Sequence, residues 1–579
     1  SSSSLEDLDA DVFLVFLLST IEAAETATMA VSAACDDAAM PAVRDTVPDE
    51  DEIPGYRSSK SVIASSCQSF TSKELLRGIS LLEVLRGRGR ILDSSAGSAE
   101  TYKLSHQRNG LDEFLSHNWS TNRRHKFLAL LFRFNFVPAC IAALFTMVCV
   151  GAIGAAGYLP IVTVYTARGK IVNIPLICIV CPVFAFVLVF FLYRHFERWL
   201  GFQGPTCFLD KSCVHQTDSY LKRAGISSLA AFINASDGMT ILYSDLYLKR
   251  LWTVYELASF MMLKPPGAMT FIPVMLPPCI LGGMLLVASF IIISSSGRFL
   301  IADTRFQNVS GFFSLFLLLT CVIIPSVWLI QKMTKQRLDV QNAVMAFSIE
   351  DAMCAMESDR KLVQENVVAL MHHFRLTDQE TPDQDCIRQF DLFVQQDLPV
   401  FLSKSMQNYI QYRYIAMICA PTFANFFGEA CARIAIGEPL HDCFLIFMWA
   451  FYMSFAHCPL VVILISRLSL RFAYLTGMAA LALRVFMVLL FSGLIFVVIQ
   501  INLLGHRLSL NKNIHLGALI ILNVCALLAL ISVYRKPRHD IKSGQSEAYR
   551  NGSTLQLGLN EAARREPRLG NQDQDDVIV

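Results

Sequence analysis

Long apolar stretches dominate the pattern of the chain from residue 136 onward. Seven of them are clear, at 136–157, 173–193, 278–296, 311–331, 444–465, 485–504 and 516–534. Each has about the length that a helix needs to cross a bilayer. The stretch 412–437 is also apolar but contains Pro421, Glu429 and Arg433. The pattern therefore predicts a multi-pass membrane protein with eight spans, or with seven spans and one re-entrant segment.

The distribution of basic residues favours eight spans. If 412–437 crosses the membrane, Arg467, Arg471 and the basic run from Arg535 lie on the same side as the polar segment 204–275. Lys and Arg concentrate in the cytosolic loops of membrane proteins, so we expect both termini to be cytosolic. The predicted segments are 110–133 with 204–275 as one cytosolic domain, 136–193 and 278–331 as transmembrane hairpins, 332–408 as a helical cytosolic segment, 412–534 as a C-terminal membrane bundle, and 535–579 as a disordered tail.

The polar segment 204–260 has the alternation of an α/β unit. An apolar strand over Cys207–Asp210 precedes a helical pattern, a second strand over Met239–Tyr243 and a helix over Leu246–Met262. Strands that alternate with helices predict a parallel sheet. Ligands of open α/β sheets bind outside the carboxyl ends of the strands. Trp252 and Glu256 are four residues apart, so we expect them on one helix face near that edge.

A further strand pattern lies before the first apolar pair. Leu111–Ser116 has the pattern of a strand, and we expect the following helix to begin near Ser120. The hairpin at 136–193 returns the chain to its starting side. The sequence therefore predicts that the segments 110–133 and 204–275 form one domain.

The N-terminal region has a different composition. Residues 1–105 are rich in Ser, Ala and acidic residues, which predicts disorder over most of this range and a short helix over 72–85. The run Arg86–Arg90 (RGRGR) is basic enough to contact RNA or anionic lipid, but a solvated linker is the favoured interpretation.

Composition narrows the class of protein. The chain is 54% hydrophobic and 17% charged, and its formal net charge of +1 gives no reason to expect a nucleic-acid partner. The 17 cysteines are scattered without the spacing of a zinc site. We therefore expect reduced thiols and no metal centre.

Four short motifs resemble one family. FLSHNW, CFLDK, GMTILYSDLY and RLWTVYELASF occur in this order at 114–119, 207–211, 238–247 and 250–260. Together they resemble a TIR domain (the Toll/interleukin-1 receptor type, flavodoxin-like). More narrowly, they resemble the membrane-embedded TIR-like proteins that are abundant in dinoflagellates and other protists. The resemblance covers 110–133 and 204–275, and it departs from the family pattern at Thr253, where a Cys is usual.

The resemblance implies a site and an interaction loop. Glu256 matches the glutamate that is catalytic in TIR domains that cleave NAD, which makes NAD the cofactor or substrate to test. The implied nucleotide contacts are Phe114, Trp119, Asp210 and Trp252. The implied self-association loop is Lys211, Ser212, Cys213, Val214, His215, Gln216 and Thr217. The alternatives are that Glu256 pairs with Arg250 or Lys249, that Trp252 is core, and that Asp210 holds its loop.

Three functions follow from these observations. The first is a signalling or scaffold protein that assembles through Lys211–Thr217 and Leu246–Phe260. The second is an NAD glycohydrolase that uses Glu256 as its carboxylate. The third is a transporter or channel with a cytosolic regulatory domain. The number of spans and the ionisable pair Glu429–Arg433 are the observations that favour it. The bilayer is the expected partner in all three.

Overall fold

A computed structural model describes the central part of the chain. It covers residue 70 and residues 72–507, with gaps at 160–161, 167–168, 174–175, 245, 265–267, 301–323, 325–326, 329, 333–334, 336–338, 340–341, 355–356, 374–376, 378–379, 406–411, 473–474 and 476. The predictions for 1–69, for most of 311–331, for the span at 516–534 and for the tail at 535–579 lie outside the described residues.

The larger of the two sheets in the described part of the chain has six strands. Its order is β2-β1-β6-β3-β7-β8, and a separate two-stranded hairpin joins β4 to β5. In the larger sheet, β6, β3, β7 and β8 are parallel, whereas β1 is antiparallel to both of its neighbours. The strands are β1 Arg77–Ser80, β2 His106–Gln107, β3 Leu111–His117, β4 Val162–Thr166, β5 Gly169–Asn173, β6 Thr206–Phe208, β7 Ser236–Tyr243 and β8 Met269–Pro273.

The strands from either side of the first apolar pair are neighbours in this sheet. Phe114 of β3 is in register with Phe208 of β6, and their rings stack with centroids 4.5 Å apart. The predictions of strands at Leu111–Ser116 and Met239–Tyr243 are confirmed. The second strand is shorter than predicted, because the chain turns into a short helix at Asp210.

Residues 72–105 complete the sheet at one edge, so the prediction of disorder is wrong for them. The predicted helix over 72–85 is instead a 3₁₀ turn at Lys73–Leu75, then β1, then the start of a helix. Ile79 and Leu81 are fully buried. The reason is that β1 pairs with β6 and thereby covers an edge that would otherwise expose unpaired backbone groups.

Outside the interrupted range 301–356, the described residues form sixteen α-helices. Their bounds are α1 Leu81–Gly89, α2 Ala99–Lys103, α3 Arg123–Phe134, α4 Phe136–Ala155, α5 Ile177–Trp199, α6 Asp210–Cys213, α7 Ser219–Ser227, α8 Leu229–Asn234, α9 Leu251–Leu263, α10 Leu276–Leu300, α11 Glu357–His373, α12 Asp383–Ser405, α13 Tyr412–Ala435, α14 Leu440–Tyr452, α15 Cys458–Arg471 and α16 Gly477–Arg507. The α3 N-cap is Asn122 rather than Ser120, and α9 begins five residues later than the predicted Leu246.

Four helices are long and apolar enough to cross a membrane, within the part of the chain that the structure describes. They are α4, α5, α13, and α14 with α15, which a π-helical turn at Met453–His457 joins into one helix over Leu440–Arg471. Shorter apolar helices occur at Leu276–Ser289 and Gly477–Gly493. The chain is therefore a mostly helical protein with the spans of a multi-pass membrane protein and a small mixed sheet.

Helix α13 is the ambiguous apolar stretch of the sequence. It is a continuous helix, and about two-thirds of its apolar window is buried among other helices, the largest share of the four. Glu429 and Arg433 pair on it as their spacing predicts, at 2.8 Å, and Arg433 also lies 2.8 Å from Glu438. These carboxylates neutralise the guanidinium charge, which offsets the free-energy cost of removing it from water.

A buried arginine joins the end of α3 to the first apolar hairpin. Arg194 near the end of α5 donates from Nε to Asn135 Oδ1 at 3.0 Å and from Nη2 to the Phe134 carbonyl at 2.7 Å. Asn135, between α3 and α4, donates in turn to the Phe190 carbonyl at 2.7 Å. These bonds satisfy backbone carbonyls near the helix junction and fix the angle at which the hairpin leaves the α/β domain.

The helical segment after the second hairpin packs on α9. Met353 forms a parallel bridge with Arg250, and Trp252 Nε1 donates to Asp359 Oδ2 at 3.3 Å. Arg360 donates to the carbonyls of Ile349 and Ala352 and holds the turn that precedes α11. The segment therefore shares one hydrophobic core with the sheet.

Candidate functional site

A polar cluster lies at the carboxyl edge of the parallel strands. Ser116, near the end of β3, donates from Oγ to Glu256 Oε2 at 2.5 Å, and the Tyr247 hydroxyl lies 2.5 Å from the same Oγ. Tyr247 belongs to the 3₁₀ turn after β7, and Glu256 lies in the second turn of α9. From β3 the chain passes to β6 on one side of it in the sheet, and it then crosses to β7 and β8 on the other side. The cluster therefore lies where the strand order reverses, which is the usual ligand position in open α/β sheets.

Glu256 has the chemistry of a neutral acid. Burial raises its pKa to about 8, opposed by the hydrogen bond from Ser116 and reinforced by the charge of Asp210. The residue as a whole nonetheless keeps part of its surface exposed. Among the described residues Glu256 has no ion pair, so the alternative in which it pairs with Arg250 or Lys249 is wrong. At neutral pH the carboxyl can both donate and accept a hydrogen bond.

Trp119 lies beside two cations. The Lys126 ammonium is 5.0 Å and the Lys211 ammonium 5.7 Å from its ring centroid. Its Nε1 donates to Asp210 Oδ2 at 2.9 Å, while the Lys211 backbone N–H donates to Asp210 Oδ1 at 2.7 Å. Both carboxylate oxygens of Asp210 thus have internal donors, which favours the interpretation that Asp210 holds its loop. Trp119 remains partly exposed and can contact a ligand.

The other two implied contacts differ from each other. Phe114 is fully buried in the core between the sheet and its helices, so the prediction that it contacts a nucleotide is wrong. Trp252 is partly exposed, and its indole N–H is directed to Asp359. Phe114 and Ser116 lie on the same face of β3, but only Ser116 lies near the carboxyl end of the strand, where the edge of the sheet is reached.

The implied interaction loop is covered by the N-terminal segment. Lys211 is buried, and its ammonium donates to the carbonyls of Ile91 at 3.3 Å and Ser94 at 2.9 Å. Ser105 Oγ donates to the Ser212 carbonyl at 2.7 Å. A lysine bonded in this way cannot serve as an exposed contact to another molecule.

The remaining loop residues are covered in a similar way. The Tyr102 and His215 rings lie 4.6 Å apart, and Gly97 packs directly against Gln216. Cys213 is buried, and burial raises the pKa of its thiol to about 12, so it is not a reactive thiolate. Val214 is also buried, whereas Thr217 is exposed. Lys211–Val214 is therefore covered by the chain itself, the predicted assembly loop is exposed only toward Thr217, and most of α9 is buried as well.

Several polar residues of this edge were not predicted as site residues. Ser116, Tyr247 and Lys126 are buried, and Lys126 lies at helical spacing from Ala129 and Leu130 on the inner face of α3. Burial lowers the pKa of Lys126 to about 8. A lysine in the apolar face of a helix is the sequence signal that could have identified it. Four buried side-chain atoms close in sequence to these residues have no hydrogen-bond partner. They are His117 Nε2, Asn118 Nδ2, Ser244 Oγ and Arg250 Nε.

An open cavity of about 510 Å³ adjoins Trp119 at the N-terminus of α3. It is lined by Asp93, Trp119, Ser120, Thr121, Asn122, Arg123 and Arg124. Arginine side chains at a helix N-terminus favour anionic groups. The described residues contain no group of three His, Cys, Asp or Glu side chains that could hold a metal ion.

His117 is a buried neutral imidazole. Burial, with the nearby charge of Lys126, lowers its pKa to about 3, and its ring lies 4.4 Å from that of Trp119. It is therefore a poor acid or base at neutral pH.

We expect His117 to limit stability in acid. Its folded-state pKa is below the ordinary 6.5, so its contribution is complete above pH 6.5 and is lost as the pH falls toward 3. Between pH 6.5 and 5 the loss is about 2 kcal/mol in the free energy of unfolding. His117→Gln should remove this slope in thermal melts of the full chain in detergent. An unchanged slope would show that His117 is accessible to protons in the folded state.

Comparison of the chain with protein-family models, with curated proteins and with solved structures finds no match. The class of the protein follows from its own residues: apolar helices with the length of membrane spans, joined to a small mixed sheet with a polar cluster at its carboxyl edge. Function must be argued from that cluster.

Proposed function

We propose that this chain is a multi-pass membrane signalling protein whose cytosolic TIR-like domain binds a nucleotide-type ligand. The observation that carries the proposal is the contact of Ser116, Tyr247 and Glu256 at the point where the strand order reverses. The parallel strands, numbered in chain order, lie as 2-1-3-4, which supports a flavodoxin-like interpretation. Eight spans with both termini cytosolic remain part of the proposal, supported by the distribution of basic residues.

The chemistry of the edge favours a ligand with an anionic part and a planar part. The cavity at the α3 N-terminus offers the guanidinium groups of Arg123 and Arg124. Trp119 supplies a partly exposed ring next to it, and Glu256 supplies a carboxyl group that can bond to a hydroxyl. A nucleotide has a phosphate, a base and ribose hydroxyls, so it matches all three. Self-association would use surfaces other than the covered loop Lys211–Thr217.

Ligand binding can be tested by thermal stabilisation of the full chain in detergent. A ligand at about 100 times its Kd stabilises the folded state by about 2.7 kcal/mol. We expect NAD or ADP-ribose to raise the Tm of the wild type, and Glu256→Gln and Ser116→Ala to reduce that rise. Glu74→Gln, at an exposed position of the same domain, is the matched control. The absence of a shift with any nucleotide at millimolar concentration would reject the proposal.

A second candidate function is cleavage of NAD, and the carboxyl of Glu256 at the carboxyl edge of the sheet favours it. The glycosidic bond to nicotinamide breaks, water adds to the ribose carbon, and ADP-ribose, nicotinamide and a proton are released. An ionised Glu256 would stabilise the positive charge that develops on the ribose. The cationic nicotinamide ring would favour that ionised form once it is bound.

The rate of nicotinamide release tests this second candidate. We expect the kcat/KM of the wild type to rise with pH through about 8, because the carboxylate is the active form. Glu256→Ala should lose the activity, and Glu74→Ala should retain it. Equal release by the wild type and Glu256→Ala would dismiss the enzymatic function and leave the binding proposal intact.

A further inference from the structure

The basic run Arg86–Arg90 is a folded left-handed turn rather than a linker. Gly87, Arg88 and Gly89 have φ angles of 58°, 57° and 70°, and Arg88 is the one non-glycine residue with positive φ in the described chain. Such a conformation is uncommon for a residue with a side chain and requires support from its surroundings. Arg86, Arg88 and Arg90 are all exposed on this turn. The favoured interpretation of a solvated linker is therefore wrong.

The turn is held beside the end of a membrane span. Gly89 is so close to Phe127 that an added Cβ would lie 3.3 Å from the Phe127 Cβ. The Phe127 ring lies against that of Phe191 in α5, with centroids 6.3 Å apart. Phe191 belongs to the apolar part of α5, eight residues before the helix ends at Trp199. The turn is thus anchored near the level at which α5 leaves the membrane.

An ion-pair bridge also joins the turn to α5. Glu83 of α1 lies 3.3 Å from Arg86 and 3.8 Å from Arg198. Arg198 keeps 70% of its side chain exposed and Arg86 keeps 77%. Both guanidinium groups therefore retain donors for an outside anion, and one carboxylate holds them side by side.

The chain after α5 exposes large apolar side chains next to these arginines. Trp199, Leu200 and Phe202 are 84%, 63% and 66% exposed. Gly201, with φ at 83°, reverses the chain between them. Tryptophan and other aromatic residues at the end of a span are typical of the membrane interface. We call the surface formed by Arg86, Arg88, Arg90, Arg198, Trp199, Leu200 and Phe202 the basic–aromatic face.

We propose that the basic–aromatic face binds anionic phospholipid headgroups in the leaflet on which the sheet lies. Guanidinium groups match phosphate geometry and keep their charge at every physiological pH. The apolar side chains would enter the boundary between headgroups and acyl chains. A phospholipid fits better than a soluble partner because the face is continuous with a span, so the bilayer is always beside it. Bound in this way, the α/β domain lies against the membrane surface.

Hydrogen exchange of the full chain in lipid nanodiscs tests the proposal. The backbone amides of 81–92 should exchange at least about threefold more slowly when about a third of the phosphatidylcholine is replaced by phosphatidylserine, since each basic residue adds to binding. Arg86→Gln with Arg88→Gln and Arg90→Gln should abolish this protection. Lys103→Gln with Arg223→Gln, exposed basic residues of α2 and α7, should retain it.

The apolar part of the face has a readout of its own. Brominated phosphatidylcholine in anionic nanodiscs should quench the fluorescence of the wild type more than that of Trp199→Phe, because bromine reaches only buried or interfacial rings. Unchanged exchange of β3 and β7 in every variant will show that the fold is intact.

Three results would overturn the proposal. Equal exchange of 81–92 in neutral and anionic nanodiscs would show that headgroup charge has no role. Equal protection by millimolar inorganic phosphate would assign the turn to a soluble anion. Protection by a short RNA oligonucleotide in neutral nanodiscs, without an effect of phosphatidylserine, would assign it to nucleic acid.

Discussion

Phe114→Ala should lower the free energy of unfolding of the α/β domain by about 3–5 kcal/mol, the range for truncating a buried aromatic side chain. Phe114 is fully buried and stacks on Phe208, which also packs on Phe232 with ring centroids 4.5 Å apart. The loss combines the transfer of the ring to water with the cavity that remains. Hydrogen exchange of β7 amides in the full chain measures it.

A double-mutant cycle tests whether the segments 110–133 and 204–275 are neighbours in the sheet. Phe114→Ala and Phe208→Ala should each destabilise, and the double variant should lose about 1 kcal/mol less than the sum, because the stacked pair is removed only once. Phe202→Ala, at an exposed phenylalanine, should change stability by less than about 0.5 kcal/mol. Strict additivity would mean that the segments on either side of the membrane hairpin do not share a sheet.

Glu256→Gln should stabilise the protein at alkaline pH and have little effect near pH 5. The folded-state pKa of Glu256 is about 8 against an ordinary 4.5, so the folded state holds more protons between these values. Its contribution is therefore complete below pH 4.5 and is lost as the pH rises through 8. The interval corresponds to at most about 5 kcal/mol, and partial exposure of the side chain should reduce it to about half.

Thermal melts of the full chain from pH 5 to pH 9 measure this effect. Above about pH 6.5 the wild type should lose stability as the pH rises, whereas Glu256→Gln, which retains an oxygen to accept from Ser116, should lose less. Glu74→Gln should follow the wild type. With the acid loss from His117 below pH 6.5, stability should be greatest near pH 6.5. Parallel curves for the wild type and Glu256→Gln would show that Glu256 ionises freely in the folded state.

Such a penalty has a functional meaning. A residue that destabilises the fold in its charged form is a candidate for ligand chemistry, because burial and a nearby carboxylate raise its pKa at a cost in stability. Glu256 meets this description through burial and Asp210. Asp391 in α12 has a pKa raised to about 6, also by burial, but its Oδ1 accepts a hydrogen bond from the Ile349 backbone N–H. Its position at the carboxyl edge of the parallel strands, in contact with Ser116, distinguishes Glu256.

Strands and spans were predictable where local pattern decides burial. The alternation in Leu111–Ser116 and the apolar runs of α4, α5 and α14 identified elements within a few residues. Strand β1 was not predictable in this way, because RGIS contains a single large apolar residue. Its strand conformation depends on pairing with β6, more than a hundred residues later, so no local window contains the cause.

The candidate site divides in the same manner. Glu256 was identified through a motif, and the prediction that it shares a helix with Trp252 is confirmed. Its partners were missed because Ser116 is 140 residues away in sequence. The burial of Lys211 was missed because the segment that covers it was predicted to be disordered. Side-chain contacts of this kind depend on strand register and on which segment closes each edge.

By itself the sequence determined that the chain has long apolar helices and strands that alternate with helices, because hydrophobic periodicity encodes the side of each element that must avoid water. Only the tertiary structure decided which polar groups meet at the sheet edge, which loop is covered, and that the basic turn lies beside a span. The physical reason is that contact, desolvation and pKa depend on distances between residues remote in sequence, which periodicity does not contain.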